Sequence, residues 1–164
     1  MSLKKSWTGN IKFDSDINLD IILQQICDAF NQAPFYAYCG MSMRVVDGAI
    51  EAHVEMQKNL IGNTAFQILH GGVAATILDS IGGITAMGEL YKKATPEDFP
   101  EISQKVSKLA TVDIRVDYLA PGRGEYFTAR AETLRLGRKG CTMRMTMLNN
   151  EAKPIATAIA SYAY

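Results

Sequence analysis

The stretch from Gly71 to Tyr91, GGVAATILDSIGGITAMGELY, constrains this chain more than any other. Up to Gly88 it holds a single charged residue, Asp79, among apolar and small ones. Leu78, Ile81 and Thr85 recur at helical spacing, as do Val73, Ile77 and Ile84. A helix over 71–91 would be about 30 Å long, and apolar residues on nearly every side predict that it is buried. A membrane span is rejected, because a carboxylate at mid-helix costs about 3 kcal/mol on insertion scales. Glycines 71, 72, 82 and 83 weigh further against it.

Asp79 is anomalous inside such a helix. Its neighbours at offsets of three, four and seven are Gly72, Ala75, Thr76, Gly82, Gly83 and Ala86, all small. Interior glycine costs about 1 kcal/mol against alanine, so a glycine pair beside a carboxylate predicts close approach by something else, a second helix or a ligand. A buried carboxylate is either paired or functional, because removing its water is expensive.

The flanking pattern supplies the rest of the fold. Asp16 or Asn18 can cap a helix whose apolar face, Ile22, Ile26, Ala29 and Phe30, runs to Asn31, and Pro34 stops it. PFYAYCG (34–40) reads as an aromatic connector. Alternation over 41–46 and 50–57 gives two strands around Asp47-Gly48, a type I′ hairpin signal. This alternation puts His53 on the polar, solvated face.

The 92–108 connection is polar, with room for a short helix after Thr95-Pro96-Glu97-Asp98. Four strands follow. The first has Val112, Ile114, Val116 and Tyr118 on one face. The others run from Glu125 to Leu136, from Cys141 through a stripe of Met143, Met145 and Met147, and from Ile155 to Ala163. The methionine stripe reads as core filler. Helices segregated from antiparallel strands indicate α+β. A sheet of about six strands can hide an all-round apolar helix only by curling around it.

Composition excludes several functions. Across 164 residues the formal net charge is zero, which argues against nucleic acid as a partner. Three cysteines, Cys27, Cys39 and Cys141, make no CxxC pair or disulfide framework. The two histidines, His53 and His70, lie on different elements with no carboxylate at ligand spacing, so no metal is expected. Lys4 and Lys5 precede WTGNIKFDSD and not an apolar run, which predicts a cytoplasmic protein. No Gly-x-Ser-x-Gly elbow and no phosphate-binding glycine loop is present.

What remains is His70-Gly71-Gly72 opening a helix that carries Asp79. Helix N-termini expose free N–H groups with partial positive charge, and glycine lets a ligand carbonyl reach them. That combination is an oxyanion hole. Two groups eight positions apart on one helix are separated by about 12 Å along its axis, whereas reacting atoms must come within about 3–3.5 Å. Two antiparallel copies of the helix would bring Gly71 of each level with Asp79 of the other, giving a homodimer with shared sites. The small residues Gly72, Ala75, Gly82, Gly83 and Ala86 would allow that approach.

Asn63, His70-Gly71-Gly72, Asp79, Thr111-Val112-Asp113 and Tyr118-Leu119-Ala120-Pro121-Gly122 together resemble the hotdog-fold acyl-CoA thioesterases, nearest the phenylacetate-pathway and hydroxybenzoyl-CoA branch. The likeness covers roughly 34–164, a hotdog domain, and leaves 1–33 as an N-terminal extension with its helix. It implies a curved sheet around the long central helix and hydrolysis of acyl-CoA to CoA and a carboxylic acid. No cofactor is needed, since coenzyme A is part of the substrate.

By the same resemblance the Gly71 N–H polarises the thioester carbonyl and Asp79 is nucleophile or general base. Thr111 assists that carboxylate, Asn63 is the loop asparagine, and Gly137, Arg138 and Lys139 contact the CoA nucleotide. The family asparagine commonly lies six residues before the histidine, where this chain has Thr64. A homotetramer built from two dimers is the larger assembly consistent with the family. Two other classes share this fold, a hotdog hydratase or dehydratase and a non-catalytic acyl-CoA sensor. His70 reads better as a helix-start residue than as a hydratase base, and 1–33 lacks the basic charge of a DNA-binding segment.

Overall fold

The computed structural model describes residues 19–164. The expected caps Asp16 and Asn18 lie outside the described residues.

Helix α1 (Leu19–Asn31) buries Ile22, Leu23, Ile26 and Cys27. At its end the Asn31 amide imitates a strand: its Nδ2 donates to the Met43 carbonyl (2.8 Å) and its Oδ1 accepts from the Met43 N–H (2.7 Å). Those bonds occupy the open edge of β1 (Met41–Val46). PFYAYC is a helix, α2 (Pro34–Cys39), and not an irregular connector. Proline at its first position costs no hydrogen bond and presets φ, and Gly40 closes it in the left-handed conformation at φ 63°.

Strand β2 (Ala49–Glu55) pairs with β1 through the expected turn, where Asp47 and Gly48 both have positive φ (53° and 71°). A small hairpin, β3 (Ile61–Asn63) and β4 (Ile68–Leu69), then leads into α3 (Gly71–Lys92). In the 92–108 connection a 3₁₀ turn (Pro96–Asp98) runs into α4 (Phe99–Lys108). The turn is held by the Thr95 N–H and hydroxyl donating to Asp98 Oδ2. Helix α4 packs on the end of α3 through Phe99 against Tyr91, edge to face at 5.7 Å.

Strands β5 (Ala110–Tyr118), β6 (Tyr126–Leu136), β7 (Gly140–Asn149) and β8 (Pro154–Ala163) complete one antiparallel six-stranded sheet in the order β1-β2-β6-β7-β8-β5. It wraps α3, and this is the hotdog arrangement expected from the sequence. By length and composition α3 could cross a bilayer, yet most of it is buried inside the protein. The methionine stripe is core, with Met143, Met145 and Met147 fully buried. The small inward residues Ala156, Ala158 and Ala160 of β8 let the helix approach the sheet closely.

Two polar details depart from the sequence reading. His53 is not solvated: its side chain is 18% exposed and its ring lies 5.1 Å from that of Tyr126. Glu51, on the same face, is buried between Arg44 and Arg130 at 2.7 and 2.9 Å. Burial alone would raise its carboxyl pKa, but hydrogen bonds and charge from the two guanidiniums outweigh that and hold it below the usual range.

Strand β5 departs as well. Thr111 pairs with Tyr162 and Asp113 with Ser161, so two steps on β5 oppose one on β8, and Val112 is a β-bulge. Val112 therefore leaves the face it was expected to share with Ile114, Val116 and Tyr118, and it is 66% exposed. The bulge brings Thr111 into phase with those inward residues.

Candidate active site

Helix α3 begins with His70 as its N-cap, the imidazole Nδ1 accepting from the Gly72 N–H at 2.9 Å. The His70 carbonyl accepts from the Val73 N–H at 2.9 Å. Of the first-turn donors this leaves the Gly71 N–H, which finds no acceptor among the described residues. His70 is a helix-start residue, and its Nδ1 lone pair is occupied.

Asp79 lies two turns along. It is half-buried, not the fully buried carboxylate expected, because sheet and α1 enclose the later part of α3 and leave Gly72, Thr76, Asp79 and Ser80 accessible. Its Oδ1 accepts a hydrogen bond from the Thr111 hydroxyl at 2.9 Å. The bulge at Val112 makes this bond possible, since regular alternation would point Thr111 away from the helix.

The glycine pair has an intramolecular explanation. The Tyr162 hydroxyl, from β8, donates to the Asp79 backbone carbonyl at 2.8 Å. A Cβ on Gly82 would strike that hydroxyl, and one on Gly83 would lie 3.3 Å from the same ring. Gly82 and Gly83 therefore admit the chain's own tyrosine, where the sequence left a second helix or a ligand open. Burial first, then the Asp79 charge, pushes the Tyr162 phenol up, so it remains a hydrogen-bond donor. Cys141 and Cys27 are raised to about 11 by burial first, which leaves both thiols neutral.

The expected nucleotide-binding turn sits at the same end of the sheet as Thr111. Cys141, Tyr162 and Thr111 form one cross-strand row, and Gly137-Arg138-Lys139 caps it one step beyond. Two strand spacings, about 10 Å, separate that turn from β5. Arg138 and Lys139 are exposed, and the Tyr164 hydroxyl donates to the Gly137 carbonyl at 2.7 Å. Asn63 ends β3 in the hairpin that leads into α3. Its Oδ1 accepts from the N–H groups of Ala65 (3.1 Å) and Phe66 (3.2 Å), which makes it the anchor of the β3–β4 turn. Among the described residues no three His, Cys, Asp or Glu side chains converge as metal ligands.

Residues 66–156 match the family model described as the thioesterase superfamily. The medium/long-chain acyl-CoA thioesterase YigI of Escherichia coli K12 is 38% identical over 130 residues, 79% of this chain and 84% of YigI. The chain belongs to the thioesterase superfamily. YigI of Salmonella typhimurium is 36% identical over the same share of this chain. A crystal structure from Shewanella oneidensis, described as related to the thioesterase superfamily, superposes with a TM-score of 0.83 at 36% identity, covering 88% of this chain and 96% of that one. A Haemophilus influenzae thioesterase shares the fold at 19% identity and a TM-score of 0.68, covering 90% and 91% of the two chains.

Three tyrosines that reach α3 in this superfamily member were given no site role in the sequence analysis, although Tyr118 stood in the motif that carries the resemblance. Tyr162 had a signal in the glycine pair, which required a bulky neighbour. Tyr118, from the end of β5, donates to the Gly71 carbonyl at 2.9 Å. Tyr36 is on the buried side of α2 and faces Ser80 and Asp79. Burial raises its phenol pKa, a hydrogen bond from Ser80 opposes that, and the Asp79 charge adds to the rise. Nothing in PFYAYCG indicated that it would reach α3.

Proposed function

We propose that this chain hydrolyses acyl-CoA thioesters to CoA and a free carboxylic acid, as a homodimer whose two sites each combine Gly71 of one protomer with Asp79 of the other. The observation that carries the reading is the Thr111–Asp79 hydrogen bond on the open face of a helix whose Gly71 N–H has no acceptor among the described residues. The thioester carbonyl accepts from the Gly71 N–H, which stabilises negative charge as it develops on oxygen. The Asp79 carboxylate either removes a proton from water attacking the carbonyl carbon or attacks that carbon itself. In either case the C–S bond breaks and the thiolate leaves as CoA, taking up a proton; where Asp79 is the nucleophile, water then hydrolyses the acyl–Asp79 anhydride, releasing the acid and restoring the carboxylate. Thr111, donating to Oδ1, orients the carboxylate so that its other oxygen faces the reacting atoms.

The exposed edge of β5 and the accessible start of α3 support a second copy as the partner that completes each site. By likeness to YigI, the acyl group is a medium or long chain. Thiol release measured across acyl-CoAs of graded length and aryl-CoAs should show turnover, highest for medium to long chains. Absence of turnover with every acyl-CoA, alongside saturable binding, would replace the hydrolase reading with a binding protein.

The CoA end has its own test. Arg138 and Lys139 are exposed charges at the sheet end nearest Thr111, suited to the nucleotide phosphates. Removing both should raise KM about three- to tenfold, the scale of two solvated ion contacts, with kcat nearly unchanged. The rise should shrink at high salt. An unchanged KM would make the turn a solvated loop without a substrate role.

A further inference from the structure

The two peptide planes that meet at Gly71 are restrained from opposite sides. The His70–Gly71 peptide, whose N–H finds no acceptor among the described residues, is held by its carbonyl to the Val73 N–H. The Gly71–Gly72 peptide is held at both ends: its N–H by His70 Nδ1, and its carbonyl by the Tyr118 hydroxyl at 2.9 Å. Between these planes stands a glycine, which has the widest backbone freedom of any residue, at a helix end that has no preceding turn to stiffen it. The Tyr118 ring lies where a side chain on Gly71 would point, with Cε1 and Cζ 3.2 and 3.3 Å from an ideal Cβ. Tyr118 thus supplies from β5 the restraint that a side chain would give elsewhere, while leaving the N–H side open.

The support behind Tyr118 is firm. The Leu119 and Ala120 N–H groups both donate to the Ile155 carbonyl. The Leu69 N–H, next to the N-cap, donates to the Gly122 carbonyl at 2.9 Å. The segment carrying Tyr118 is therefore tied both to the sheet and to the strand that delivers the helix. Burial does not account for the ring, which is 56% exposed.

We propose that Tyr118 is a positioning residue for the thioester carbonyl: by donating to the Gly71 carbonyl it fixes the first turn of α3, so that the Gly71 N–H stays aimed at the substrate. This rests on the reading of Gly71 given above. Tyr118→Phe keeps the ring and removes the bond. It should lower kcat about tenfold, less than deletion of an oxyanion donor, with KM held within about twofold and the thermal midpoint unchanged. Tyr118→Leu should behave no worse than Tyr118→Phe if the hydroxyl is what acts.

The distinguishing measurement is the infrared stretch of a ¹³C-labelled thioester carbonyl bound to the slow Asp79→Asn protein. Polarisation by the Gly71 N–H should lower that frequency from its value in water, and adding Tyr118→Phe should return it toward that value and broaden it. An unchanged frequency and kcat in Tyr118→Phe would overturn the proposal while leaving Gly71 in place. A rise in KM alone would overturn it too, making the ring a substrate contact. No lowered frequency in Asp79→Asn itself would remove the Gly71 reading and this proposal with it.

Discussion

Asp79→Asn should lower kcat by about 10²- to 10⁴-fold, the range expected when a general base or nucleophile loses its charge, while the protein folds and binds acyl-CoA as before. Asparagine matches aspartate in size, and its Oδ1 can still accept from the Thr111 hydroxyl, which lies 2.9 Å from the carboxylate in the native chain. The Tyr162 bond survives as well, because it is made to the Asp79 backbone carbonyl. The substitution thus removes charge and nucleophilicity and little else. Steady-state thiol release on the purified variant, with its melting curve as control, gives the answer. Near-native turnover in a folded Asp79→Asn protein would remove Asp79 from the chemistry. Single turnover in ¹⁸O-water then separates its two roles in the native enzyme. A general base sends solvent oxygen directly into the product acid. A nucleophile forms an anhydride, and solvent oxygen can enter the Asp79 carboxylate when that is hydrolysed.

The parts of this molecule legible in its sequence were those governed by local periodicity. The long apolar run gave α3 within one residue of its end, Asp47-Gly48 gave the hairpin, and His70 gave the N-cap. The Thr111–Asp79 pairing came through the family resemblance. It could not have come from alternation, which placed Val112 and not Thr111 on the inner face. A single inserted residue reverses the parity of a strand, and nothing in ATVDIRVDY announces it.

The glycine pair is legible as a demand for close approach by a second helix or a ligand, and the structure puts Tyr162 there. Sequence shows that space is left beside Asp79, but not whether a partner helix or Tyr162, far along the chain, fills it. Tyr36 was missed for a related reason: a six-residue aromatic helix has too few turns to display a periodicity. Asn63 has a structural use that its spacing from His70 did not announce, its Oδ1 closing the β3–β4 turn.

Gly71→Pro tests the donor with little disturbance to the helix, and it permits the strongest test of a shared site. Proline is favoured at the first helical position, where its missing N–H removes no intrahelical bond. His70 already has φ −66° and ψ 132°, the extended conformation proline requires of the residue before it. The new Cβ would meet the Tyr118 ring at 3.2–3.4 Å, so the ring must yield slightly. Gly71→Ala imposes the same contact and keeps the N–H, which makes it the control. Alanine should retain most activity, and proline should lose about 10²- to 10³-fold, the cost of one oxyanion-hole donor.

Mixing Gly71→Pro with Asp79→Asn and allowing subunits to exchange then pairs an intact Asp79 with an intact Gly71 across the interface. Random pairing makes half the dimers hybrid, each with one whole site of two, so about a quarter of wild-type activity should return. Gly71 and Asp79 stand about 12 Å apart along one helix, so a site contained in a single chain could not be repaired by exchange. Hybrids shown to form without regaining activity would rule out sharing, as would a monomer with full turnover.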